Sequence, residues 1–138
     1  MVFTLLKSIP EEKIIGEDLG EGTTYDIIID IDKKDLIIES EGFSIWRRFQ
    51  TYEELYNDVV SLVKDIMGDD AVIYMGQLPK DVLGLRQPMQ NYGILYTIPE
   101  KKKIGVVDPS GVEVFTLEFD DAESYFKALD KYAKMLKN

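Results

Sequence analysis

The chain has 138 residues, 45% of them hydrophobic and 30% charged, with no cysteine, no histidine and a net charge of −10. That size and balance suit one folded domain burying about two-thirds of its unfolded surface, and they exclude a disordered chain. The lack of Cys and His removes disulfides, thiolate and imidazole metal ligands, the thiol nucleophile and the commonest general base, so the expectation of catalysis falls.

The charge is unevenly placed. Residues 1–70 carry 17 acidic and 7 basic side chains, whereas residues 71–138 carry 9 of each. An excess of negative charge repels phosphate backbones, so direct nucleic-acid binding is not expected; it suits a basic partner or simple solubility. No apolar run approaches the ~20 residues that cross a bilayer. The first residues, Met1 to Lys7, lack the basic and small-residue marks of a secretory signal. A cytoplasmic protein with no membrane partner is expected. Abundant Ile and Glu with few Asn, Gln and no Cys give the composition a thermophile-like cast.

In chain order, residues 2–9 read as a strand closed by Pro10, and residues 11–16 as a short strand or turn. Residues 17–22 read as a loop with two glycines. From Tyr25 the pattern alternates, with Ile27, Ile29 and Ile31 on one face and Asp26, Ile28, Asp30 and Asp32 on the other. That is the period of a strand with one face in a core. Residues 36–39 and 43–49 follow as two more strands, joined by turns so short that all three must run antiparallel. A helix opens at Thr51, with Glu54 three residues on completing a capping box. Leu55, Val59, Leu62, Val63 and Ile66 form its apolar stripe, and Gly68 ends it.

Residues 71–75 read as a further strand. It leads into a proline- and glycine-containing connection over 76–91 that carries Leu78, Val82, Leu83, Leu85 and Met89. So long a connection is uncommon in a compact domain and often functional. Strands over 92–98, 103–108 and 112–119 then precede a second helix. Its expected cap is Asp120 with Glu123 three on, its stripe runs from Ala122 to Leu136, and Lys131, Lys134 and Lys137 suit its negative end. Residues 25–67 and 92–136 are therefore one β-β-β-α design written twice, separated by a connector over 68–91.

The expected fold is α+β: internally duplicated β-β-β-α units, antiparallel sheet or sheets, and two amphipathic helices packed on one side. Neither repeat of about 45 residues has enough core to stand alone, so residues 1–138 are read as a single domain.

Few motifs carry chemistry. Asp30, Asp32 and Asp35 could offer oxygens to a hard cation, but the two lysines between them compete and no Ca²⁺-loop spacing is present. Of the two aspartate pairs that punctuate the helices, Asp120 with Asp121 is explained by capping, and Asp69 with Asp70, just beyond a helix end, is the better but still a poor candidate for a functional acid. Ser110 lacks any base and belongs to an Asp-Pro-Ser-Gly turn, while Lys101, Lys102 and Lys103 read as an exposed hairpin tip. No catalytic residue, metal or cofactor is expected. Trp46 and Arg48 share a strand face and have the composition of an interface hot spot. With them, Leu78, Leu83, Leu85 and Tyr96 are the candidate partner- or ligand-contacting residues.

The leading functional expectation is a non-enzymatic protein–protein interaction module, binding another protein or itself as a homodimer that covers exposed sheet edges. A second is a small-ligand binder or carboxylate-based enzyme, with a pocket between sheet and connector lined by Tyr74, Tyr92, Tyr96 and Trp46. A third is an acidic decoy that occupies a basic nucleic-acid-binding protein through residues 11–41.

Overall fold

A computed structural model describes residues 1–20, 22–79 and 92–136. The chain divides into two compact units, Met1–Ala71 and Val72–Asn138. The first contains strands β1 (Val2–Pro10), β2 (Thr24–Asp30), β3 (Asp35–Ser40) and β4 (Phe43–Arg48), followed by helix α1 (Tyr52–Met67). The second contains β5 (Ile73–Pro79), β6 (Tyr92–Ile98), β7 (Lys103–Val107) and β8 (Glu113–Glu118), followed by α2 (Ala122–Ala133). Each unit is one antiparallel sheet whose strand order follows the chain. The α+β class and the duplicated meander-plus-helix are present, in two separate sheets. The repeating unit is one strand longer than β-β-β-α, because β1 and β5 each pair onto the three strands legible as a repeat. β5 also runs to Pro79, well into the expected connector. Val82 and Met89 lie outside the described residues.

Alternation explains the first sheet. Ile27, Ile29, Ile31, Leu36 and Ile38 are all essentially inaccessible, and cross-strand pairing lines up Ile27 with Ile38 and Ile29 with Leu36. Leu55, Tyr56, Val59, Leu62, Val63 and Ile66 of α1 are buried on the same core, the i, i+3/i+4 stripe meeting the period-2 face. Thr51 caps the helix by accepting the Glu54 N–H at 3.1 Å, and the Thr51 hydroxyl also meets Glu54 Oε1 at 3.1 Å. Gly68, at φ +91°, takes the left-handed exit that L side chains avoid. Residues 11–13 form a single 3-10 turn rather than a strand.

The second sheet buries Leu95, Thr97, Ile104 and Val106 beneath Ala122, Tyr125, Phe126 and Leu129 of α2. The Thr97 and Tyr125 hydroxyls, 2.6 Å apart, satisfy each other inside that core. The cap of α2 is Asp121, one residue later than expected, because its Oδ2 is the oxygen that reaches the Ser124 N–H at 2.8 Å. Glu123 instead pairs one turn on with Lys127 Nζ at 2.5 Å. The helix closes at Ala133, short of the expected end at Leu136. Among the described residues no helix is long and apolar enough to cross a membrane.

Candidate functional site

In the first unit α1 covers one face of the sheet, so residues of opposite parity on β2, β3 and β4 point the other way. Cross-strand pairing sorts that second face into three rows. The central row is Ile28, Ile37 and Trp46; one flank is Asp30, Asp35 and Arg48; the other is Asp26, Glu39 and Ser44. An apolar row therefore runs across the strands between two charged ones. Ile28 and Ile37 are half-buried, and Trp46 at the edge is 58% exposed. The Trp46 indole N–H donates to Ser44 Oγ at 3.1 Å, which satisfies its polar atom and leaves the ring presented.

Within the flanks the charges are partly matched. Arg48 grips Asp35 with two parallel bonds, Nε to Oδ1 at 2.7 Å and Nη2 to Oδ2 at 2.9 Å. Asp35 is only 1% exposed while Arg48 remains largely in solvent. The hydrogen bonds from Arg48 hold the Asp35 carboxyl below its ordinary range despite burial, and they raise Arg48 in turn. Asp26 accepts the Ser8 N–H at 2.9 Å and Asp30 accepts the Lys33 N–H at 3.2 Å. Such backbone bonds orient the carboxylates without cancelling their charge. At the β3–β4 turn the face ends in an open depression of about 430 Å³ lined by Asp26, Glu39 and Glu41.

Arg47, of opposite parity, turns to the helix side. It bonds Glu17 through Nε at 2.9 Å and Nη2 at 2.5 Å, and Asp58 of α1 through Nη1 at 2.9 Å. Burial works against its charge, but the bonds to Asp58 and Glu17 prevail and raise its pKa. Arg47 is thus a structural clamp and Arg48 a surface group, although the two are neighbours in sequence.

The corresponding face of the second unit differs. Tyr74, Tyr96, Gly105 and Thr116 form a cross-strand row. The Tyr96 ring lies flat over Gly105, where an added Cβ would sit 2.3 Å from Tyr96 Cζ. Its hydroxyl donates a short hydrogen bond to Glu113. Burial, then the Glu113 bond and charge, push the Tyr96 phenol up to about 12, so it stays a donor. Tyr74, Tyr96, Lys103 and Glu113 border an open hollow of about 260 Å³.

The six expected contact residues separate. Trp46 and Arg48 do share an outward face. Tyr96 lies on the outward face of the other sheet, 5% exposed, with its hydroxyl engaged. Leu78 is corrected: at 0% exposure, opposite Gly93 on β5–β6, it is a core residue and no surface contact. Leu83 and Leu85 lie outside the described residues. The aspartates of the first hairpin do not converge, since Asp32 binds the N-terminal amine at 2.6 Å while Asp30 and Asp35 have the partners given above. Among the described residues no group of three or more acidic side chains is placed to hold a metal ion. Asp69 lies 3.6 Å from Lys64 and is exposed, and Ser110 donates to Asp108 in the expected turn.

Ile28, Ile37, Asp26, Asp30 and Glu39 were not among the expected contacts. Their signal was present: Ile28 is the one apolar member of an otherwise acidic strand face. The chain matches no protein-family model, no curated protein and no solved structure.

Proposed function

We propose that this chain is a non-enzymatic protein–protein interaction protein, and that its partner docks on the helix-free face of the first sheet. The observation that supports this reading is the Ile28–Ile37–Trp46 row, apolar and presented outward between charged rows. A Trp beside an Arg, with aliphatic neighbours and a polar rim, is the composition of interface hot spots. The acidic rim disfavours phosphate backbones and anionic lipid as partners.

Native mass measurement of the wild type and Trp46→Ala, with pull-down at low salt, tests the reading. The expected result is a complex with the wild type that Trp46→Ala loses, while circular dichroism and melting stay unchanged. A complex retained in full by Trp46→Ala overturns it. A homodimer as that complex is the self-association form of the same reading.

A second reading, a small-ligand site, draws on the Tyr74–Tyr96–Glu113 hollow. It offers a carboxylate engaged by a phenol, with Lys103 at its border, and ligand binding is the form this second reading takes. Equilibrium dialysis against aromatic metabolites, with Glu113→Gln as control, tests it.

A further inference from the structure

Resting on the reading that the helix-free face of the first sheet is the interface, we infer that its occupant is a basic amphipathic helix of a partner protein. Three features of the face select that chemistry. The first is charge. On β2–β4 this face carries Asp26, Asp30, Asp35 and Glu39 against Arg48. Arg48 bonds Asp35 and more weakly attracts Asp30, and four carboxylates against one guanidinium leave the paired rows with a net charge of −3. A second copy docking through the same face would bring like charge onto like charge, and so would an anionic membrane or a nucleic acid. A cationic protein segment is the complementary surface.

The second feature is the arrangement of the charge. The carboxylates lie on both sides of the apolar row, each displaced by two residues along its strand, about 7 Å. A partner matching this pattern has a line of apolar side chains with Lys or Arg on either flank. The third feature is direction. The row crosses the strands, so its members recur at the inter-strand spacing of roughly 4.8 Å. A helix laid along the row repeats its apolar stripe about every 5.4 Å turn, so positions i, i+4 and i+7 fall on Ile28, Ile37 and Trp46 in succession. An extended strand crossing the row would alternate its side chains toward and away from the sheet at a spacing that matches poorly.

Trp46 is the only tryptophan of the chain, so its emission reports this face directly. The probe is a synthetic peptide of about four helical turns, with Leu at i, i+4, i+7 and Lys on both flanks. Two controls accompany it, one with Glu in place of every Lys and one with a central Pro that breaks the helix. The expected result is a saturable blue shift of Trp46 emission with the Lys peptide. Affinity is expected to fall about tenfold between low and high salt, and several-fold in the Glu39→Lys, Asp30→Asn double variant. Neither control is expected to bind. A Glu peptide that binds equally well overturns the basic partner, and a Pro peptide that binds equally well overturns the helix. A blue shift with anionic phosphatidylglycerol vesicles overturns both by pointing to a membrane. Silence with every peptide, while the Trp46-dependent complex persists, overturns this inference and leaves the interface reading standing. Loss of that complex as well overturns the two together.

Discussion

The two units are built on the same backbone and present different outward faces. Lys34 and Lys102 sit at equivalent turn positions with left-handed φ of 56° and 49°. Phe49 and Phe119 return their N–H groups to the carbonyls of those lysines at 3.0 and 3.1 Å. Both units then enter a capped helix. Counted from these shared points, the cores match in kind: Ile27 with Leu95, Leu36 with Ile104, Ile38 with Val106. The outward faces do not. The cross-strand pair Asp35–Arg48 of the first unit is Lys103–Glu118 in the second, with the signs exchanged. The row Ile28–Ile37–Trp46 becomes Tyr96–Gly105–Thr116. A core tolerates exchange among apolar residues of similar volume, so the framework repeats cheaply while each exposed surface is free to take its own chemistry.

The largest loss of stability is expected from the core. Phe126, wholly inaccessible, follows the α2 cap as Tyr56 follows that of α1. Phe126→Ala is expected to cost about 3–5 kcal/mol by removing ring contacts and leaving a cavity. Chemical denaturation followed both by Trp46 fluorescence, which reports the first unit, and by far-ultraviolet circular dichroism, which reports both, measures it. The proposal that residues 1–138 form one cooperative domain requires the two transitions to coincide and to shift together in the variant. Separate midpoints, with only the dichroism transition moving, refute it.

Next in size is Gly105. Gly105→Val is expected to destabilise the second unit by about 1–3 kcal/mol, because the Tyr96 ring must leave its place. Ile37 stands at the equivalent position of the first sheet, where a branched side chain is already accommodated. Tyr96 also gives the alkaline signature. Its folded pKa lies near 12, above the ordinary tyrosine value of 10.0. The protonated phenol therefore contributes stability that is fully present below about pH 10 and is lost as pH rises towards 12. Spectrophotometric titration is expected to show a late tyrosine component near pH 12 that is lost in Gly105→Val.

Much of this was legible in the sequence and some was not, for identifiable reasons. Strand alternation and helical stripes gave the sheets, both helices and the Thr51 cap, since these depend on periodicity and local hydrogen bonding. The fourth strand of each sheet escaped the repeat because β1 and β5 carry register shifts, between Thr4 and Ile9 and between Tyr74 and Gly76, which blur a period of two. Leu78 reads as part of the connector, and so as a partner-contact candidate, because its strand runs into a Gly- and Pro-containing stretch that reads as loop. Asp120 and Asp121 are chemically identical, so only geometry decides which one caps. Trp46 with Arg48 was visible from parity on one strand. The rest of its row was not, because cross-strand neighbours depend on register, and register was set by turns whose lengths the residues only bracketed.

The helix caps differ in chemistry as well. Thr51→Ala is expected to cost about 1 kcal/mol at neutral pH, where its hydroxyl holds the Glu54 N–H. Asp121 performs the same task as a carboxylate held below its ordinary range, first by the Ser124 backbone N–H. A depressed carboxylate contributes stability that is present above its unfolded pKa of about 3.9 and is lost as pH falls through its folded value. Asp121→Ala is therefore expected to matter at neutral pH and to converge with wild type in acid. Asp35, also depressed, gives the first unit an acid-labile tie of its own. Arg48→Met is expected to remove that tie and raise the Asp35 pKa, measurable by carboxyl chemical shifts against pH.

The smallest expected change in stability carries the most functional information. Trp46→Ala removes a large side chain that is 58% exposed and hydrogen-bonded to Ser44, so melting is expected to stay within about 0.5 kcal/mol of wild type. Truncating the counterpart position, Thr116→Ala, is expected to be equally quiet for folding. The two variants part only in binding: a central aromatic anchor typically costs about 2 kcal/mol or more when truncated, roughly thirtyfold in affinity. Isothermal titration with whatever partner the wild type retains separates them, with Trp46→Ala losing affinity and Thr116→Ala keeping it. Equal losses would place the interface on both outward faces, and a loss confined to Thr116→Ala would move it from the first unit to the second.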